Sequence, residues 1–162
     1  MLPDTLKDLA VPAALESWDA DALTGGSCEL GETLLWVKPE KIVAVCLKLR
    51  SEFAFNRLSG VTVIDRYPME PRFEVLYLLH SIERNERLKL KVALAGENPE
   101  VETVTGVWPG ANWYEREAYD LFGVRFLNHP DLRRIMMPDN WVGHPLRRDY
   151  PTHGHKYSYQ NE

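Results

Sequence analysis

The stretch Phe73–Ala95, FEVLYLLHSIERNERLKLKVALA, decides the fold. From Phe73 to Ile82 it is apolar at both odd and even positions, the mark of a central strand covered on both sides for much of its length. From Arg87 to Ala95 it alternates, with Leu88, Leu90, Val92 and Leu94 on one side and Arg87, Lys89 and Lys91 on the other. That is the period of a half-exposed strand. The polar link Glu83-Arg84-Asn85-Glu86 is short enough to pair the two strands antiparallel.

Toward the N-terminus, Val61–Arg66 is short and β-branched and reads as a further strand, and Thr33–Val37 as another. Between them Pro39 suits the first turn of a helix, and Ile42, Val45, Cys46, Leu49 and Phe53 recur at helical spacing. Leu6, Leu9, Ala10, Ala13 and Ala14 suggest an early helix, broken at Gly25-Gly26, and 25–31 reads as a loop. Toward the C-terminus, Asn98-Pro99 resembles an N-cap with proline at the first helical position, predicting a short helix to about Val107. Pro109-Gly110 ends it. A second helix runs from about Asn112 to Phe122, with Gly123 placed to stop it. Pro130, Pro138, Pro145 and Pro151 then exclude a long helix. The expected architecture is α+β: a two-layer domain over residues 1–123, with a mixed or largely antiparallel sheet and helices packed on it. An extended Pro/Arg-rich arm, 124–162, docks on that domain and on a partner.

Composition narrows the function. With 162 residues the chain can bury a core without disulfides or metal. Residues 1–110 hold 12 Lys and Arg against 17 Asp and Glu, and 111–162 hold seven of each. A nucleic-acid footprint needs a basic excess, so nucleic acid is not an expected partner. Two cysteines, Cys28 and Cys46, are too few for an iron–sulfur cluster of the usual kind. The longest apolar run, Ile42–Leu47, falls short of a membrane span. The acidic N-terminal region matches neither a signal nor a transit peptide, which predicts a cytoplasmic location.

Chemistry is densest from Glu115 to Met137. On the helix 112–122, Tyr114, Ala118, Leu121 and Phe122 share an apolar arc. Arg116, Glu117 and Asp120 form a stripe with Trp113, and Glu115 lies on the far flank. Arg116 and Asp120, four apart, are expected to pair. Glu117, Asp120 and His129 offer the raw material of an acid/base site, which would require them to converge in a pocket with a shifted pKa. His129-Pro130-Asp131 matches the tripeptide of J-domain co-chaperones but lacks its two-helix context. His153 and His155 provide only two metal ligands, and no nucleotide-binding glycine motif or nucleophile elbow is present. The tail concentrates Arg133, Arg134, Met136, Met137, Trp141, Arg147, Arg148 and Tyr150, residue types enriched at protein interfaces.

Glu115-Arg116-Glu117, Asp120-Leu121-Phe122, His129, Arg133 and Ile135-Met136, followed by MPDNWVGHPLRRDYP at 137–151, carry a resemblance over residues 113–151. The chain resembles the 30 kDa subunit family of respiratory complex I, whose bacterial members are the C subunits of the proton-pumping NADH–quinone oxidoreductase. The resemblance implies a peripheral-arm subunit on the cytoplasmic side of the inner membrane, attached through its neighbours. It implies no cofactor in this chain, with FMN and iron–sulfur clusters in other subunits. It also implies packing against the large quinone-cavity subunit, which is the D subunit of the bacterial enzyme. Related membrane-bound hydrogenases and the photosynthetic NDH complex use an equivalent subunit. The photosynthetic branch usually lacks the Gly-His found here at Gly143-His144. On this resemblance Glu115, Arg116, Glu117, Asp120, His129, Arg133, Arg134, Trp141, His144, Arg147, Arg148 and Asp149 are signature and interface positions, none of them catalytic.

Overall fold

Leu6, Val11 and Leu15 are buried because two short helices, α1 (Asp4–Lys7) and α2 (Ala10–Trp18), turn them onto a sheet. The computed structural model describes residues 3–151. The first strand is one the sequence conceals. β1 (Leu23–Glu29) pairs antiparallel with β2 (Glu32–Val37), so the expected break and loop at 25–31 are instead a strand and its turn. The glycines mislead because here they serve close approach. A Cβ on Gly25 would stand 2.7 Å from the Trp36 ring, and one on Gly26 would stand 2.6 Å from the Leu34 carbonyl.

A 3-10 turn at Pro39–Lys41 leads into α3 (Ile42–Phe53), which buries Ile42, Val45, Cys46 and Leu49 as their spacing predicts. Then come β3 (Arg57–Asp65), β4 (Phe73–Ser81) and β5 (Glu86–Leu94). The β4–β5 hairpin has the predicted antiparallel pairing, with Tyr77 opposite Leu90 and Val75 opposite Val92. The sheet is mixed, in the order β1-β2-β5-β4-β3, because β2 joins β5 in parallel.

One face of this sheet holds the core, and Phe73, Val75, Tyr77 and Leu79 of β4 are buried on it. The opposite face was expected to be covered as well. It is covered only in part: Glu74, Leu76, Leu78 and His80 are half-buried, with Lys91 and Lys89 of β5 opposite the two leucines.

The expected helix from Asn98 to Val107 is also corrected. Glu100–Glu102 is a strand, β6, in which Val101 is buried between two outward carboxylates. Its partner follows α4 (Ala111–Phe122): β7 (Arg125–Leu127) lies parallel to β6, with Val101 opposite Phe126. Val104–Trp108 forms a single turn, and the Trp108 indole N–H donates to the Phe55 carbonyl at 3.1 Å. The tertiary pairing with β7 overrides the local helix signal. α4 therefore rests on the β3 side of the sheet with its C-terminal end free to meet the arm.

Candidate functional site

Gly123 ends α4 in the left-handed region at φ 78°, and the chain reverses toward the helix it has just left. A helix end leaves four carbonyls without intrahelical donors. Here the chain beyond the helix supplies all four. Gly123 N–H donates to the Tyr119 carbonyl at 2.8 Å, and His144 Nδ1 to that of Asp120 at 2.9 Å. Leu146 N–H donates to the Leu121 carbonyl at 3.0 Å, and Arg147 Nε to that of Phe122 at 2.6 Å. The Arg147 guanidinium also suits the negative end of the helix dipole.

The carboxylate of Asp120, wholly buried, binds the middle of the arm. Its Oδ2 accepts the N–H groups of Ile135, Met136 and Met137 at 3.0, 2.7 and 2.8 Å, and its Oδ1 accepts Arg134 Nη1 at 2.5 Å. Burial alone would raise this carboxyl, but those donors hold it below the ordinary carboxylate range. Arg134 continues to the carbonyls of Trp141 and Gly143, each at 3.0 Å. The expected Arg116–Asp120 pair does not form. Arg116 instead donates to the carbonyls of Arg133 and Arg134 at 3.2 and 3.1 Å and stacks on Trp113. Trp141 is half-buried, and Arg133 is exposed, its guanidinium on Asp131 at 2.9 Å.

Glu115 is not on the far flank of the helix but in the core. Its carboxylate takes the Thr103 hydroxyl at 2.5 Å and the Val104 N–H at 2.8 Å, and the His129 ring stands 3.8 Å away. Burial pushes its pKa up to about 7 against the pull of those two donors. His129 accepts the Asp131 N–H on Nδ1, which leaves the proton on Nε2, facing the Asn112 carbonyl at 3.4 Å. Glu117 is exposed, and among the described residues no hydrogen bond or ion pair joins any two of Glu117, Asp120 and His129.

A second anchor holds the end of the arm. Asp149 and the buried Asp65 each grip Arg72 through two hydrogen bonds, from 2.6 to 3.0 Å. The guanidinium also lies between the Tyr67 and Phe73 rings. The sequence reading missed Asp65 and Arg72. The available signal was their place at the facing ends of two consecutive predicted strands, where a hairpin would bring acid and arginine together. Arg148 contributes its N–H to Asp65 at 2.9 Å, while its side chain is exposed. Two surface grooves, one bounded by Glu32, Arg57 and His80 and the other by Trp36, Pro71 and Lys91, contain none of the signature residues. No group of three metal-capable side chains occurs among the described residues, and His153 and His155 lie outside them.

The geometry thus defines an α+β domain whose polar residues fix a strap onto its own helix rather than line a cavity. Comparison with known proteins gives this class its family. Residues 35–156 match the family described as respiratory-chain NADH dehydrogenase, 30 Kd subunit, and the chain belongs to that family. It is 52% identical over 124 residues to the NADH-quinone oxidoreductase C subunit of Geotalea uraniireducens, covering 76% of each chain. It is 44% identical over 148 residues to the C subunit of the same enzyme in Roseiflexus castenholzii, covering 90% of this chain and 85% of that one. Among solved structures, the trypsin-resistant fragment of Nqo5 is similar with a TM-score of 0.64 and 32% identity, covering 74% of this chain and 97% of the fragment. A chain of an archaeal membrane-bound sulfane sulfur reductase shares the fold, with a TM-score of 0.70 and 21% identity over 86% of this chain and 83% of that one.

Proposed function

We propose that this chain is a structural and docking subunit of a proton-translocating NADH–quinone oxidoreductase, without cofactor or catalytic residues of its own. One observation carries the reading: the signature side chains Arg116, Asp120, Arg134, His144 and Arg147 are engaged in fixing the arm, so that large apolar side chains point outward beside it. Trp113 is 59% exposed, Met136 61% and Val142 84%. Arg116 touches both the Trp113 ring and the Arg133–Arg134 backbone, and Met136 follows where Asp120 of the same helix holds the arm. Rigidly presented tryptophan and methionine are what an interface centre uses.

In this reading the neighbours are other subunits of the complex, and the stripe docks on the large one that helps form the quinone cavity. NADH oxidation, electron transfer and quinone reduction take place in those neighbours. No helix of the described residues is long and apolar enough to cross a membrane, and attachment on the cytoplasmic side runs through the partners. The shared name of the relatives favours the NADH–quinone enzyme over a hydrogenase-type or photosynthetic complex. Purification from native membranes tests the assignment. The chain is expected to copurify with cluster-bearing and membrane subunits and, once isolated, to show no flavin or cluster absorbance. Recovery as a lone monomer, or with a stoichiometric chromophore, would contradict it.

A further inference from the structure

Asp65 joins two surface segments as well as pairing with Arg72. Its Oδ1 accepts the Tyr67 N–H and its Oδ2 the Arg148 N–H, both at 2.9 Å, so one buried carboxylate ties the β3–β4 loop to the end of the arm. The loop is stiff by construction. Arg66 N–H closes it onto the Arg72 carbonyl at 2.8 Å, and Met69 N–H donates to the Arg66 carbonyl at 3.0 Å. Inside it, the Glu70 carboxylate takes the Arg72 and Gly96 N–H groups at 3.1 and 3.2 Å.

What this loop displays is apolar: Tyr67 is 45% exposed and Met69 66%. Beside them Arg148 holds an exposed guanidinium that makes no ion pair among the described residues. Of the nearby acids, Asp65 and Asp149 are held by Arg72, Glu74 by Arg66 and Lys91, and Glu70 by the backbone N–H groups of Arg72 and Gly96. Among the described residues no carboxylate pairs with Arg148, so its guanidinium is open to an acid on a partner. A pre-ordered loop presenting tyrosine and methionine, tied through Asp65 to an arm that presents arginine, loses little entropy on docking and has the composition of a hot spot.

We propose that Tyr67, Met69 and Arg148 form a second docking patch, which accepts an apolar pocket rimmed by a carboxylate on the same partner polypeptide that the arm grips. This rests on the docking role proposed above. The shared partner follows from the double weld at Asp65 and Arg72, which leaves the loop and the end of the arm no freedom to serve separate surfaces.

The test uses the assembled complex, with a photoreactive benzophenone side chain at position 69 or position 136. Both positions are expected to crosslink to one partner polypeptide, and the position-69 product is expected to map to a peptide containing Asp or Glu. Arg148→Glu should lower the position-69 yield roughly tenfold, while the circular dichroism and melting of the purified chain stay unchanged. A crosslink from 136 with none from 69, or with 69 on a different polypeptide, would overturn the second patch and leave the arm reading standing. A link from 69 alone would overturn the arm reading and with it the shared partner. No crosslink from either would overturn both.

Discussion

Asp120 Oδ1 and Arg134 Nη1 lie 2.5 Å apart at the C-terminal end of α4, and this contact sets the course of the whole arm. The other oxygen of Asp120 gathers three successive N–H groups, which turns the chain at Ile135–Met137. Arg134 reaches forward to the carbonyls of Trp141 and Gly143 and closes the next loop. A dense run of charge is thus spent on shape.

Asp120→Asn should therefore release the arm before it unfolds the domain. The amide puts an N–H₂ where donors converge and removes the charge facing Arg134. The expected loss is about 3 kcal/mol, read in urea unfolding. Trypsin should cut after Arg133 or Arg134 much faster in the variant than in the parent. Unchanged cleavage would mean that the arm is held elsewhere.

Glu115 gives the chain a pH dependence opposite in sign to that of its exposed acids. Its pKa rises from 4.5 unfolded to about 7 folded, so the folded state binds the extra proton between those values. Stability is full below the unfolded value and declines as pH rises through about 7. Glu115→Gln keeps a side chain that Thr103 and Val104 can still bond and removes the titration. Melting followed from pH 5 to 8 should flatten in the variant, the parent losing on the order of 3 kcal/mol across the window.

Asp65 acts in the opposite direction. Burial would raise its carboxyl, but Arg72 and the N–H groups of Arg148 and Tyr67 hold it at about 2, against 3.8 in the unfolded chain. Its contribution is present above 3.8 and is lost as pH falls through about 2, worth about 2 kcal/mol. Asp65→Asn should remove that part of the acid transition and loosen Asp149 and Arg148 together. Proton–deuterium exchange at the Arg148 N–H would report the loosening.

Gly123→Ala should cost about 2 kcal/mol, more than a typical helix-end glycine. The left-handed backbone strains any L side chain, and here the added methyl would also stand 2.5 Å from Arg147 and 2.6 Å from His144. The thermal midpoint measures it, and a change within error would show that the arm can shift aside freely.

Periodicity carried β5 and α3, which put apolar residues on one face at a fixed spacing, whereas β4 is apolar on both faces and α4 buries Glu115, Arg116 and Asp120 with Ala111 and Ala118 while Tyr114, Leu121 and Phe122 of the expected arc are only half-buried. It failed where an element is held by something outside itself. β1 contains the two glycines that let Trp36 and Leu34 approach, so its strand character comes from β2. β6 is three residues long and exists only beside β7. Within the candidate site, the motif at 115–151 marks a segment in sequence but does not give its wiring. The helical pattern puts Glu115 on the far flank because a carboxylate counts as polar in any pattern, although Thr103 and Val104 satisfy it in the core. Asp65 and Arg72 escaped notice because their partner Asp149 lies 77 residues beyond Arg72.

In the proposed docking role the arm is fixed from within so that Trp113 and Met136 can grip a partner. The most direct measurement of that role is retention of the chain in the purified membrane complex after Trp113→Ala combined with Met136→Asp. Leu30→Asp serves as control, since Leu30 is fully exposed on the β1–β2 turn. The double variant is expected to fold with the parent's melting profile but to be lost from the complex, while the control is retained. Full retention of the double variant alongside the control would contradict it.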